Sequence, residues 1–304
     1  MKAQIPEHIK AELPQNTWGK VLGMTPIIMT VIATLLAGIA SSEMTHAQYD
    51  RSLAAQLQSK AGDQWGYFQA KKLRGSLQQN TLELLSASLA VPALNVSGLQ
   101  TILAKLSAPA VDETLVALEK TQFPAVPASP GIAPNVQAAL DALTNLKPEA
   151  ELNALLHQVT DADLAAAMTE AKDQAQAFDA AVKPVSANLD HVAKILGQPG
   201  ADRGTVQSFT AAHLRFGAAL YDNQARLNQV IGYLFELQVR KSNASAERHH
   251  QRSGRFFYGM LAAQMGVVIS TFAIAARQKN LLWSLAAAAG LLAVSFSAWV
   301  FVRM

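Results

Sequence analysis

The side chains that could do chemistry are few and scattered. With seven histidines and no cysteine, thiolate nucleophiles, thiolate metal sites and disulfides are all excluded. His249 and His250 are adjacent, so on a helix their rings point to different sides and suit a shared metal ion poorly. They read instead as part of a basic segment at a membrane surface. Asp161, Asp163, Glu170 and Asp173 bring carboxylates together at helical spacing, the pattern of a solvated face. No Gly-rich phosphate loop, nucleophile elbow, HExxH pair or EF-hand loop occurs. The residues therefore assign no catalytic, cofactor-binding or metal site, and the expectation is a protein that is not an enzyme. An enzyme built on those carboxylates stays open as an alternative that needs a bound metal or substrate.

Charge offers a better-defined candidate. Arg240, Lys241, Arg248, Arg252 and Arg255 crowd one short segment against Glu247. Near an anionic leaflet each such cation adds about 1 kcal/mol of attraction, so the cluster is a candidate collar for lipid headgroups. Topogenic charge that only fixes orientation explains it equally well. A net charge of +3 is too small to argue for nucleic acid.

The elements that must position these residues are dominated by three apolar runs. Val21–Ala40, Phe256–Ala276 and Leu281–Val302 contain no Asp, Glu, Lys or Arg. Each has about the 20 residues that a helix needs to cross roughly 30 Å of hydrocarbon. A mean hydropathy of only +0.14 hides them, because the Ala-, Gln- and Asp-rich middle dilutes the average. Gly38-Ile39-Ala40 before Ser41 resembles a cleavage site, but Glu7 and Glu12 upstream and the length of the run favour a retained helix over a signal peptide. Pro26 is expected in its first turns, and Pro6–Leu13 as a short amphipathic helix on the membrane surface. By the positive-inside rule the five basic residues place the body between the spans, and Arg303, in the cytoplasm.

The predicted fold is all-α: three transmembrane helices, one N-terminal and a C-terminal hairpin, with a long antiparallel helical stalk and a small helical tip domain. Residues 1–20 form an interfacial segment, 21–40 the first span, 41–90 an outgoing stalk helix, 91–200 a Pro- and Ala-rich tip, and 203–255 a returning helix. The second and third spans follow at 256–276 and 281–302. Within the tip, helices are expected at about 97–107, 111–121, 135–146, 149–158, 161–183 and 185–196. Thr160 and Asp163 propose a capping box, and Phe123 to Pro134 an extended connector.

The returning helix carries a heptad seam. His213, Leu220, Leu227 and Leu234 recur at a, and Phe209, Phe216, Asn223, Val230 and Leu237 at d. This is the pattern of a coiled coil, with Asn223 and His213 as register-setting polar residues, or of an ordinary bundle with those two at a wet edge. In the outgoing helix, Leu73, Leu77 and Leu84 are expected to pack on a partner helix. In the last span, Ala289, Ala293 and Ser297 make a small-residue stripe that permits close packing, either within the hairpin or between subunits.

Residues 17–23 (TWGKVLG) and 35–75, together with the basic approach to a terminal two-span hairpin, resemble an uncharacterised bacterial membrane family, domain of unknown function 4337. The resemblance implies a bacterial inner-membrane protein with three spans and transfers no activity or site residue. The layout is also similar to that of proton-channel subunits of the ExbB and TolQ type, but no span here holds an acidic residue. Two readings follow. The first is a non-enzymatic, homo-oligomeric membrane scaffold without cofactors, its partners being anionic lipids and further copies of itself. The second is a channel-like or force-coupling subunit whose pore is lined by hydroxyls such as those of Thr30 and Thr271.

Overall fold

A computed structural model of the protein describes residues 17–88, 90–105, 110–126, 131–275 and 279–303. The expected surface helix at Pro6–Leu13, the Pro127–Pro130 part of the connector and Arg277 of the hairpin lie outside the described residues. Most of those described are helical, with no strand among them: α1 Thr17–Ser88, α2 Val96–Lys105, α3 Val111–Lys120, α4 Pro134–Thr144, α5 Glu149–Leu156, α6 Asp161–Leu196, α7 Arg203–Ala275 and α8 Lys279–Arg303. The chain divides into two compact units, Met1–Ala54 with Ser242–Met304, and Ala55–Lys241.

The first unit holds all three apolar segments, and α1, α7 and α8 are each long and apolar enough to cross a membrane. Their inward faces carry small side chains. Ala33, Leu36 and Ala40 of α1 meet Phe256 and Ala263 of α7 and Ala293 and Val300 of α8 in one buried cluster. Glycines set the spacing. A Cβ on Gly266 would lie 3.4 Å from Met29 Sδ and 3.5 Å from the Ala286 carbonyl oxygen, and one on Gly259 would run into Ser297 Oγ. Close backbone approach of this kind is how helices associate in lipid, where burial of apolar surface gives no drive. Outward, Leu35, Phe272, Leu291, Leu292 and Phe301 are exposed, as lipid-facing side chains should be. Pro26 differs from expectation. The helix begins upstream at Thr17, so Pro26 is inside it and lacks an N–H for the preceding turn.

The second unit has two cores joined by α6. In one, Leu164, Ala167, Met168 and Ala171 of α6 pack with Val136, Leu140 and Leu143 of α4, Leu152 and Leu156 of α5, Ala61 of α1, and Leu234 and Leu237 of α7. In the other, Phe178, Val182, Val185, Leu189 and Val192 of α6 pack with Leu99 and Leu103 of α2, Leu118 of α3, and Phe209 and Phe216 of α7. The capping box forms: Thr160 Oγ1 accepts from the Asp163 N–H and Asp163 Oδ2 from the Thr160 N–H. These bonds hold the Asp163 carboxyl below its usual range. The two helices expected at 161–183 and 185–196 are one, because Val182 and Val185 on either side of Pro184 are buried in the same core. That burial offsets a break worth about 3 kcal/mol. Inside the second core, Asn188 Nδ2 donates to Thr114 Oγ1 at 2.9 Å and ties α6 to α3. Phe123 of the connector lies against Phe178 and Phe216, with ring centroids 5.3 and 5.4 Å away.

His213 is half-buried beside Phe209, and burial lowers its pKa against the opposing charge of Asp190. An imidazole so placed protonates later in the folded chain than in the unfolded one. Its effect is absent above about pH 7, destabilises as the pH falls below the ordinary value near 6.5, and levels off once the folded form also protonates. Thermal midpoints measured by circular dichroism between pH 7.5 and 5 should fall less steeply for His213→Gln than for the wild type.

Candidate functional site

The heptad seam of α7 is spent inside the chain. Phe209, Phe216, Leu234 and Leu237 are buried, and Leu220, Leu227 and Val230 pack against the two cores. Asn223 turns its amide back on its own helix, donating to the Ala219 carbonyl at 3.0 Å. In α8, Ala293 and Ser297 are buried, with Ala289 beside them half-buried. Ser297 occupies the space above Gly259, so the small-residue stripe serves packing within the chain.

The five basic residues do not form one patch. Arg240 is half-buried and Lys241 reaches the tip, donating to the Val159 carbonyl at 2.6 Å and pairing with Asp161 at 2.8 Å. Both belong to the second unit. In the first unit, Arg248 is exposed, Arg255 lies over the Trp299 ring at 5.6 Å and Arg252 is drawn inward.

That inward turn reveals a cluster that composition alone does not single out. One turn beyond the apolar run of α1, Glu43 is largely shielded, its side chain 13% exposed. Its carboxylate receives His249 Nδ1 at 2.6 Å and Arg252 Nη2 at 3.3 Å. The His46 ring stacks on His249 with centroids 5.3 Å apart, and the neighbouring Ser253 hydroxyl donates to the Ala40 carbonyl at 2.7 Å. Farther out, Arg51 and Glu247 stand 4.0 Å apart. The spacing follows from helix geometry: Glu43 and His46 share one side of α1 at i and i+3, and His249, Arg252 and Ser253 share one side of α7. Alanine makes the approach, with Ala40 and Ala47 buried between them and Ala246 buried on α7. The arrangement locks two helices where they leave the apolar region. The signal in the sequence was Glu43 itself, a lone acid in the turn after an apolar run, facing a basic segment.

Elsewhere, an open groove of about 530 Å³ in the second unit is lined by Lys72, Ser76, Gln79, Asn80, Thr121, Arg215 and Asp222, among others. Lys72 and Arg226 both pair with Asp222, and the Lys72 bond above all holds that carboxyl below its usual range. Among the described residues no three His, Asp or Glu side chains are placed to hold a metal ion. Four span hydroxyls are turned on their own helices: Thr30 donates to the Pro26 carbonyl, Thr34 to that of Thr30, and Ser270 and Thr271 to that of Val267.

Fold and site together define an all-helical protein with three helices long and apolar enough to cross a membrane. Residues 18–115 match the family model described as domain of unknown function 4337 (DUF4337). The match takes in nearly all of α1, including Glu43, and then α2 and the start of α3. No curated protein and no solved structure matches the chain.

Replacing Glu43 by Ala leaves Arg252 and His249 without their shielded acceptor. It should destabilise the first unit by about 1–3 kcal/mol, read as a lower unfolding midpoint in detergent micelles. The pair Glu43→Leu with Arg252→Met should recover most of the loss, because it removes both charges together.

Proposed function

We propose that the protein is a non-enzymatic, homo-oligomeric helical scaffold anchored in a bacterial inner membrane, its water-facing unit in the cytoplasm. The observation that carries this reading is the exposure of Leu73, Leu77 and Leu84, at 63, 57 and 71%. They lie on a helix whose neighbouring Lys71, Lys72, Arg74 and Glu83 mark it as water-facing. An apolar row of that kind in water is a protein-contact surface by default. The polar groups that cross between helices support the same reading, since Glu43 with His249 and Arg252, and Trp65 with Glu236, tie one helix to another. Arg248 and Arg255 remain candidates for anionic headgroups. The Thr30 and Thr271 hydroxyls that the pore reading names are engaged by their own helices, which gives the scaffold the advantage over the pore reading.

The stalk in this proposal is antiparallel. Within the second unit, Trp65 Nε1 bonds to Glu236, Lys71 to Gln224 and Lys72 to Asp222, so rising numbers on α1 meet falling numbers on α7. A Cβ on Gly75 would stand 3.5 Å from Tyr221 Cβ, within the range that a disulfide bridges. In this cysteine-free chain, Gly75→Cys with Tyr221→Cys should form an intramolecular disulfide on mild oxidation, seen as a mobility shift on non-reducing gels. Free thiols in both positions would count against the antiparallel course. Mass measurement by light scattering in mild detergent should give a multiple of 32.5 kDa, and a monomer would sink the homo-oligomeric reading.

A further inference from the structure

The exposed row on α1 has the register of a self-pairing helix. Setting Leu77 at a puts Ala70, Leu77 and Leu84 at a, and Leu73, Asn80 and Ala87 at d. All six are exposed in the single chain. They lie on the opposite side of α1 from Gly75 and Gln78, the side that meets Ala218, Tyr221 and Gly217 of α7. The tip helices and α7 therefore leave the three leucines uncovered, with Asn80 at the edge of the row, where the groove beside α7 begins.

We propose that two copies pair in parallel along Ala70–Ala87, with Leu73, Leu77 and Leu84 each meeting its counterpart and Asn80 meeting Asn80. This rests on the homo-oligomeric reading above and names its contact surface. Four observations favour a second copy as the occupant. α1 runs unbroken from its apolar segment to Ser88, so copies in one bilayer carry it in the same direction. A polar residue in an apolar seam is best satisfied by its own kind, and Asn80 makes no side-chain bond to any described residue. The flanking positions are compatible with a two-fold axis: in a parallel pair Gln69 faces Arg74, Ser76 faces Thr81 and Glu83 faces Ser88 of the other copy, with no like charges opposed. Finally, a lipid surface is a poor occupant for leucines interleaved with Lys71, Lys72, Arg74 and Glu83.

The seam is short, under the three to four heptads that sustain a coiled coil on its own. Anchoring both copies in one membrane compensates, because pairing then proceeds at a high effective concentration.

The test uses the full-length chain in membranes and in mild detergent. Single variants Leu77→Cys and Leu84→Cys should each give a disulfide-linked dimer on mild oxidation, while Gln79→Cys, on a different side of the same helix, should not. Leu73→Lys, Leu77→Lys and Leu84→Lys combined should reduce the dimer fraction by about tenfold or more, with helical content by circular dichroism unchanged, as expected for exposed positions. A wild type that is monomeric in both settings would overturn the seam together with the homo-oligomeric reading. A wild-type oligomer that survives the triple substitution, or that cross-links equally through Gln79→Cys, would overturn the seam alone.

Discussion

Close approach between α1 and α7 depends on alanine at seven-residue intervals. Ala33, Ala40, Ala47, Ala54 and Ala61 are all buried along one side of α1. On α7, Ala225, Gly232, Val239, Ala246 and Ser253 recur at the same interval and are buried as well. Small side chains let backbones come near enough for short contacts: the Ser253 hydroxyl reaches the Ala40 carbonyl in the first unit, and the Trp65 ring comes within 3.3 Å of a Cβ built on Gly232 in the second. The device works in both solvents. In lipid it supplies van der Waals contact where burial of apolar surface gives no drive. In water the same geometry excludes solvent between two long helices.

Once the helices are that close, polar groups at the edge of the ladder must find partners or carry a desolvation cost. Glu43 meets His249 and Arg252 within one cluster, though the Arg252 Nε stays buried without a hydrogen-bond acceptor among the described residues, and Trp65 with Glu236 and Lys72 with Asp222 pair farther along. Basic residues that look alike in the sequence thereby acquire different work. Lys241 fastens the start of α6, Arg252 shares a shielded carboxylate, and Arg255 covers an indole ring.

The bulky seam of α7 and the leucine row of α1 illustrate how alike patterns part ways. Both have heptad spacing and both suggest a coiled coil. The α7 row is absorbed by tip helices that fold over it, with Phe123 of the connector lying against both Phe178 and Phe216. The leucines of the α1 row are left exposed by the other described helices of their unit. Spacing identifies a sticky face, whereas the path of the intervening chain determines whether it is covered.

Much of the architecture was legible in the residues because it rests on local rules. Three uncharged apolar runs fix three long apolar helices, the Thr160–Asp163 pair fixes the start of α6, and the proline-bearing segment ending at Pro134 excludes helix just before α4. Pro184 suggests a break because proline disfavours helix locally, while the burial of Val182 and Val185 that overrides it is a property of the packed core. Glu43 cannot be assigned a partner from the sequence for a related reason: a single acid after an apolar run has no meaning until a second helix, some two hundred residues away in sequence, brings His249 and Arg252 to it. Which segments are helical and which faces are apolar follows from side-chain type at a period of 3.6 and can be read along the chain. Which faces are covered and which charges are paired depends on contacts between residues far apart in the chain, and no local period encodes them.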